Sequence, residues 1–263
     1  MSFWEETLAA SSRSGGVQSL ERAFDLLELI ADEGGSIGVS QLAVRSGLPL
    51  PTIHRLLQSM VSRGYVRQDQ NRRYTFGPGL IRLGESASRM LGSWAMPRLS
   101  RLVEETGETA NMAIFEGDAV VYVAQSPSRH WVRMFTEVGR RVLPHCTGVG
   151  KALLSTLEDD KVRQIVGRTG MPAQTEHTIT SPDALVAEIH RIRAVGFAVD
   201  HGEQEQGVRC VAVPVRGAPV SLAISVSGPS GRLTTERVLE IAPALSQEAT
   251  GLVTDLLTVN GAR

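Results

Sequence analysis

Two cysteines, Cys146 and Cys210, are all that 263 residues contain, too few for a disulfide framework and without the close pairs of a structural zinc site. No apolar run approaches the roughly 18 residues needed to span a bilayer, and the N-terminus has no cationic start leading into an apolar stretch. These absences predict a protein of the reducing cytoplasm, with no membrane partner. Lysine is nearly missing too: Lys151 and Lys161 are the only two, so arginine supplies almost all the positive charge. A net charge of -1 excludes a uniformly basic coat, so any attraction to nucleic acid has to come from a local patch.

Such a patch is present. Between Gly38 and Arg73 the cations are Arg45, Arg55, Arg63, Arg67, Arg72 and Arg73, and Asp69 is the only anion. Upstream, residues 1–16 end in a Ser/Gly/Arg stretch with no apolar period and are expected to be a disordered arm. Leu20, Phe24, Leu27 and Ile30 then recur at helical spacing as an inward stripe up to Gly34-Gly35. Ser40 is placed to cap a second short helix through Ser46, closed by Gly47. Pro49 and Pro51 suit a helix's first turn, and Ile53, Leu56, Leu57 and Met60 form the inward face of a third helix over Pro51 to Arg63. Strands at Tyr65 to Arg67 and Arg73 to Phe76, around a polar turn, complete a hairpin.

Two short helices joined by a glycine turn, followed by a charged hairpin, predict a winged helix-turn-helix over 17–78. The outer face of its reading helix carries Thr52, His54, Arg55, Gln58 and Ser59, groups able to pair with base edges or phosphates. The candidate DNA contacts are Arg45, Pro51, Thr52, His54, Arg55 and Gln58, with Arg72 and Arg73 on the hairpin. The bland alternative is an ordinary three-helix module with a solvated face; the local charge asymmetry favours DNA.

A helix from Leu80 to Leu91 reads as a linker within 79–93, and a mixed α+β domain follows over 94–260. Strands are expected at Thr109 to Phe115, Ala119 to Gln125, Trp131 to Phe135, Phe197 to Asp200, Val208 to Val215 and Val220 to Ser227. Helices are expected at Ala95 to Glu105, Gly150 to Leu157, Asp160 to Val166, Pro182 to Ala194 and Thr234 to about Leu257. Several chemistries are open in this half. His145 beside Cys146 invites a nucleophile reading, although sequence neighbours need not pair in space. Gly150-Lys151 is like a phosphate loop, but His145 stands where such a loop needs glycine and Ala152 where it needs a hydroxyl. His145, Cys146, His177, His201 and Cys210 are suitable metal-ligand types, against the plainer reading of a buried histidine and two packed thiols. No catalytic residue, metal or cofactor is assigned. Ser225 and Ser227 alternate on one apolar strand, so both hydroxyls face one side and need partners there. A small anionic ligand supplies one, helped by the amides of Gly148 and Val149 at a helix start; the alternative partner is neighbouring backbone.

The residues also carry a resemblance. Gln18 to Ala23, Leu48 to Leu57 and Arg73 to Gly77, then Leu143 to Ala152, Asp200 to Cys210 and Ala223 to Pro229, are similar in order and spacing to the motifs of the isocitrate lyase regulator (IclR) family of bacterial transcription factors. The resemblance spans about Val17 to Leu257. It implies a GAF-like second domain that binds small organic acids, with Gly148, Val149, Asp200, Val208, Cys210, Ser225 and Ser227 lining the pocket and Met134 a looser candidate. It implies homodimers that pair into tetramers on double-stranded, pseudo-palindromic operator DNA. Leu50-Pro51 departs from the Lys-Ser pair common in the family, and His201-Gly202 replaces acidic residues, where a histidine adds pH-sensitive positive charge. The rival from another class is a small-molecule-binding enzyme whose N-terminal helices mediate association.

Overall fold

A computed structural model describes residues 17–132 and 138–261. The expected arm over 1–16 and the candidate Met134 lie outside them. The chain divides into two compact units, with the division between Ala87 and Ser88; each is described by itself.

The first unit holds helices α1 (Gln18–Asp32), α2 (Val39–Ser46) and α3 (Leu50–Ser62) and strands β1 (Ser36–Ile37), β2 (Val66–Gln68) and β3 (Tyr74–Phe76). The three strands form an antiparallel sheet in the order β1-β3-β2. Leu26, Leu29 and Ile30 of α1 meet Leu42 of α2 and Ile53, Leu56, Leu57 and Met60 of α3 in one core, closed by Ile37, Val66 and Tyr74. The expected inward stripe on α1 holds at Leu27 and Ile30, which meet the core, and is corrected at its start: Leu20 and Phe24 are more than half exposed, and Leu26 and Leu29 are buried in their place. Apolar residues sit on two sides of this helix, and the i, i+3, i+4 rule does not say which side meets the core. The second helix starts one residue before Ser40, with Gly38 as its cap residue and the Gly38 amide donating to Gln41 Oε1 at 3.3 Å. Gly47 sits at φ 64°, the left-handed turn that ends α2 and redirects the chain into α3.

Helix α4 (Gly79–Leu91) contains the division between units. The second unit continues with a short 3₁₀ turn (Ser93–Ala95), α5 (Met96–Thr106), β4 (Thr109–Glu116), β5 (Ala119–Ser126), β6 (Arg141–Val142), α6 (Gly148–Leu154), α7 (Asp159–Thr169), α8 (Pro182–Val195), β7 (Ala198–Asp200), β8 (Val208–Pro214), β9 (Leu222–Pro229) and α9 (Thr235–Gly261). Its six-stranded antiparallel sheet has the order β6-β5-β4-β9-β8-β7. β4 and β9, distant in sequence, pair at the centre, from Thr109 opposite Ser227 to Ile114 opposite Leu222.

One face of this sheet carries Ala110, Met112, Val211, Val213, Ile224 and Val226 into a core with Leu99 and Leu102 of α5 and Leu245 and Leu252 of α9. The other carries Ala113, Ala198, Cys210, Ala212 and Ala223 against Val149 and Leu153 of α6 and Leu185 and Ile189 of α8. The strand expected at Trp131 to Phe135 is not formed at its described end, where Trp131 and Val132 lie in bends. The two-residue β1 and β6 escaped the sequence reading because they are shorter than one alternating period. Among the described residues, no helix is long and apolar enough to cross a membrane.

Candidate functional site

In the first unit the candidate site is the outer face of α3. Burial of Ile53, Leu56, Leu57 and Met60 forces His54, Arg55, Gln58 and Ser59 into solvent, with Thr52 half-buried and Pro51 exposed near the helix start. The side chains of His54, Arg55 and Gln58 have no hydrogen-bond partner among the described residues, so their donors and acceptors are open to a ligand. Ser59 Oγ is returned to its own helix, donating to Arg55 O at 3.1 Å.

The hairpin residues divide in a way the sequence did not reveal. Asp69 Oδ1 accepts from the Asn71 and Arg73 amides at 2.9 and 2.8 Å, and this side-chain turn sets Arg72 in the left-handed region at φ 58°. Arg72 is thereby exposed at the tip. Arg73 points home: Nε donates to Ser36 Oγ at 3.0 Å and Nη2 to Ser36 O at 2.7 Å, clamping β1 to β3. Arg45 ion-pairs with Glu33 and, at 3.7 Å, with Asp32. Both guanidinium groups have protein partners, whereas exposed Arg63 and Arg67 flank α3 and the hairpin and were missed as candidates. Arg67 Nε rests on Thr75 Oγ1 at 3.1 Å.

In the second unit, strand register assembles a polar wall. Asp200 lies opposite Cys210 and Cys210 opposite Ser227, which makes one row across β7, β8 and β9. The adjacent row runs from Gln125 to Asn111 to Ser225 across β5, β4 and β9. Ser225, Ser227, Cys210, Asp200 and Asn111 are all buried, and Ser225 Oγ has no hydrogen-bond partner. Val208 precedes Cys210 by two residues and shares its face. Gly148 and Val149 open α6 above this wall. Thr147 Oγ1 caps α6 by accepting from the Gly150 amide at 3.2 Å, and a Cβ on Gly148 would come within 2.8 Å of Cys210 Sγ. Glycine there lets the helix start approach the sheet.

A charged network lies beside the wall. Lys151, 1% exposed, pairs through Nζ with Glu203 Oε1 at 2.6 Å and Glu188 Oε1 at 3.4 Å. The Glu203 amide donates to Asp200 Oδ1 at 2.6 Å. Burial, partly offset by that amide, lifts the Asp200 carboxyl to about 7, so near neutrality it is shared between its acid and its carboxylate. Burial pushes the Cys210 and Cys146 thiols to about 12. Cys146 donates to Gln204 Oε1 at 2.9 Å, and His145 faces Pro172 O at 3.2 Å, lowered by its burial. The two neighbours thus point to different partners, with no imidazole on the thiol to activate it. Lys151 is committed to carboxylates, unlike a phosphate-loop lysine. Among the described residues no three or more His, Cys, Asp or Glu side chains gather in a way that could hold a metal ion. His201 is driven below its ordinary value by burial and by Arg209, which disfavours the positive charge expected at that position. Asn111 and Gln125 are the wall residues that sequence reasoning missed; Asn111 sits in an apolar strand, and only register brings it beside Ser225.

Comparison with known proteins identifies both parts of the chain. Residues 19–70 match the IclR helix-turn-helix domain and residues 87–253 the C-terminal domain of the IclR bacterial transcriptional regulators. The HTH-type transcriptional regulator BhcR of Paracoccus denitrificans is 36% identical over 241 residues, covering 90% of this chain and 86% of that one. The transcriptional repressor IclR of Escherichia coli K12 is 35% identical over 250 residues, covering 92% and 91%. The crystal structure of an IclR transcriptional regulator from Alicyclobacillus acidocaldarius superposes with a TM-score of 0.81 at 28% identity, covering 91% of this chain and 99% of that one. The chain belongs to the IclR family of transcriptional regulators: it is a DNA-binding regulator with a helix-turn-helix, not an enzyme.

Proposed function

We propose that this IclR-family regulator senses a small organic acid in the second unit and converts its binding into a change in operator affinity. The observation that carries the ligand reading is Ser225 Oγ, fully buried and without a partner, in a wall shared with Ser227, Cys210 and Asp200. Buried hydroxyls are ordinarily hydrogen-bonded, and a bound carboxylate satisfies this one while the leading amides of α6, Gly148 and Val149, supply further donors. Asp200, held near half-protonation, lends a proton instead of repelling the anion.

On the DNA side, α3 enters the major groove with His54, Arg55 and Gln58 against base edges and backbone, and Arg72 at the wing tip meets the flanking phosphates. A pseudo-palindromic operator requires two copies. Support for association comes from the exposed apolar residues Val17, just before α1, Leu20 and Phe24 of α1, and Ile81 and Leu83 of α4, which a second copy buries; dimers that pair into tetramers complete the assembly. Domain bounds of 17–78, 79–93 and 94–260 are proposed, with α4 as the linker that carries the ligand's bias. The effector must bind the DNA-competent and DNA-incompetent arrangements differently for that bias to exist.

Two measurements test this. Duplex titration at several salt concentrations shows preference for an operator over random DNA and a steep loss of affinity as salt rises. A thermal-shift screen of small carboxylates, aromatic acids and amino acids finds a selective stabiliser, and Ser225→Ala or Ser227→Ala abolishes that shift with ligand-free DNA affinity intact. Unchanged ligand responses in both variants disprove the pocket; equal affinity for every duplex disproves the regulator.

A further inference from the structure

The outer face of α3 begins with a side chain that has nothing polar to offer. Leu50, the first residue of the helix, is 44% exposed, a large aliphatic group in water on an otherwise polar face. It stands one turn before His54 and two before Gln58, so the three lie in one row along the helix. Pro51 beside it is exposed as well. The first turn is correspondingly poor in groups that hold an anion. Pro49 and Pro51 have no N–H, the Thr52 and Ile53 amides both donate to Pro49 O, at 2.9 and 3.1 Å, and no side chain caps the helix. Leu50 to Ile53 include no charged residue. Of these first four backbone positions only Leu50 keeps an uncommitted amide, where a helix start that binds phosphate offers several.

We propose that Leu50 is a specificity-determining residue: with α3 in the major groove, its methyl groups, flanked by the Pro51 ring, pack against the C5-methyl group of a thymine in each half-site. The N-terminal residues of a reading helix are the ones that meet base edges, and in the major groove thymine alone presents an apolar group. Against the N7 and O6 of guanine, the N7 and N6 of adenine or the N4 of cytosine, a leucine strips water from a donor or acceptor and returns no hydrogen bond, which penalises those bases. The phosphates are left to the cations farther along the chain, exposed Arg55, Arg63, Arg67 and Arg72, so the start of α3 is free to select by shape and apolar contact. This inference rests on the major-groove docking of α3 proposed above and adds the base that its first turn selects.

The test uses the full chain and a duplex that it selects from a random-sequence pool. Each thymine of one half-site is replaced in turn by deoxyuridine, which keeps the pairing and removes only the C5-methyl group, and affinity is read by fluorescence anisotropy. At one thymine the loss of the methyl is expected to weaken wild-type binding about fourfold. In Leu50→Ala the thymine and deoxyuridine duplexes bind within about 1.5-fold of each other, and reselection from the pool relaxes the base preference at that position alone. Leu50→Gln, equally long and a good helix former, loses the same discrimination and carries the test if Leu50→Ala does not fold. Thermal unfolding checks both variants, and the exposure of Leu50 puts their melting temperatures near that of the wild type. A methyl effect that persists in the folded variants overturns the role of Leu50 and marks a thymine read through DNA deformability. A selected duplex with no methyl-sensitive thymine overturns this inference alone, whereas a chain that enriches no sequence overturns the operator reading and this inference with it.

Discussion

On α3, His54, Arg55 and Gln58 are exposed polar side chains that nothing among the described residues engages, whereas on the sheet of the second unit Asn111, Ser225, Ser227 and Asp200 are buried and, Ser225 apart, hydrogen-bonded or next to a hydrogen-bonding group. The first arrangement suits a large, water-coated partner whose phosphates and base edges come to the protein. The second suits a small ligand recognised by a few buried polar groups. The energetics differ accordingly: an exposed arginine costs the fold little and can be replaced without harm to it, while a buried charge depends on each of its partners.

The largest effect expected from this difference is Lys151→Met, which leaves Glu203 buried with no ammonium beside it, while half-buried Glu188 keeps Arg191, and destabilises the second unit by about 3–5 kcal/mol. Urea unfolding measures it, and Lys151→Met combined with Glu203→Met recovers part of the loss. If the single variant unfolds as the wild type does, the contrast between the two units is wrong.

A pH dependence comes next. Burial raises the folded-state Asp200 from 3.8 to about 7, so the folded chain binds this proton more tightly than the unfolded chain. The contribution is fully present below about pH 4 and is lost as pH rises through about 7, with a slope approaching about 1.4 kcal/mol per pH unit between them. The wild-type minus Asp200→Asn difference isolates it from carboxylates such as Asp118 and Asp255, which arginine partners lower and which act in the opposite sense. A flat difference curve places the titration elsewhere.

Arg55→Ala sharpens the comparison from the other side: operator affinity falls by about 1–3 kcal/mol if the guanidinium reads a base, and the melting temperature hardly moves. A loss equal on all sequences, with a shallower salt slope, marks a phosphate contact instead. The smallest effect is expected at Ser36→Ala, which removes the Arg73 Nε contact while leaving the Ser36 carbonyl in place and costs about 1 kcal/mol of stability in the first unit. A large drop in operator affinity there shows that the wing's position, more than its charge, governs binding.

Helix α3 was almost wholly legible in the sequence because one helical period decides it: once Ile53, Leu56, Leu57 and Met60 turn inward, the intervening residues have one place to go. The same logic misplaced Leu20 and Phe24, since α1 has apolar residues on two sides and periodicity alone cannot choose the core side. Arg73 was legible as a hairpin cation, and its grip on Ser36, 37 positions away, was not. In the second unit, alternation on β9 showed that Ser225 and Ser227 share a face. The opposing β4 lies more than a hundred residues upstream, so Asn111 had no local signal beyond being polar in an apolar strand.

The sequence by itself determined the helix-turn-helix, the order of the major elements and the family, because these rest on short-range periodicity, turn residues and motif spacing. Only the tertiary structure decided which charges are free and which are spent, that Lys151 is buried between carboxylates, and that Asn111, Ser225 and Ser227 meet in one wall. Those outcomes depend on strand register and on contacts between distant residues, where a shift of one position turns every side chain to the opposite face.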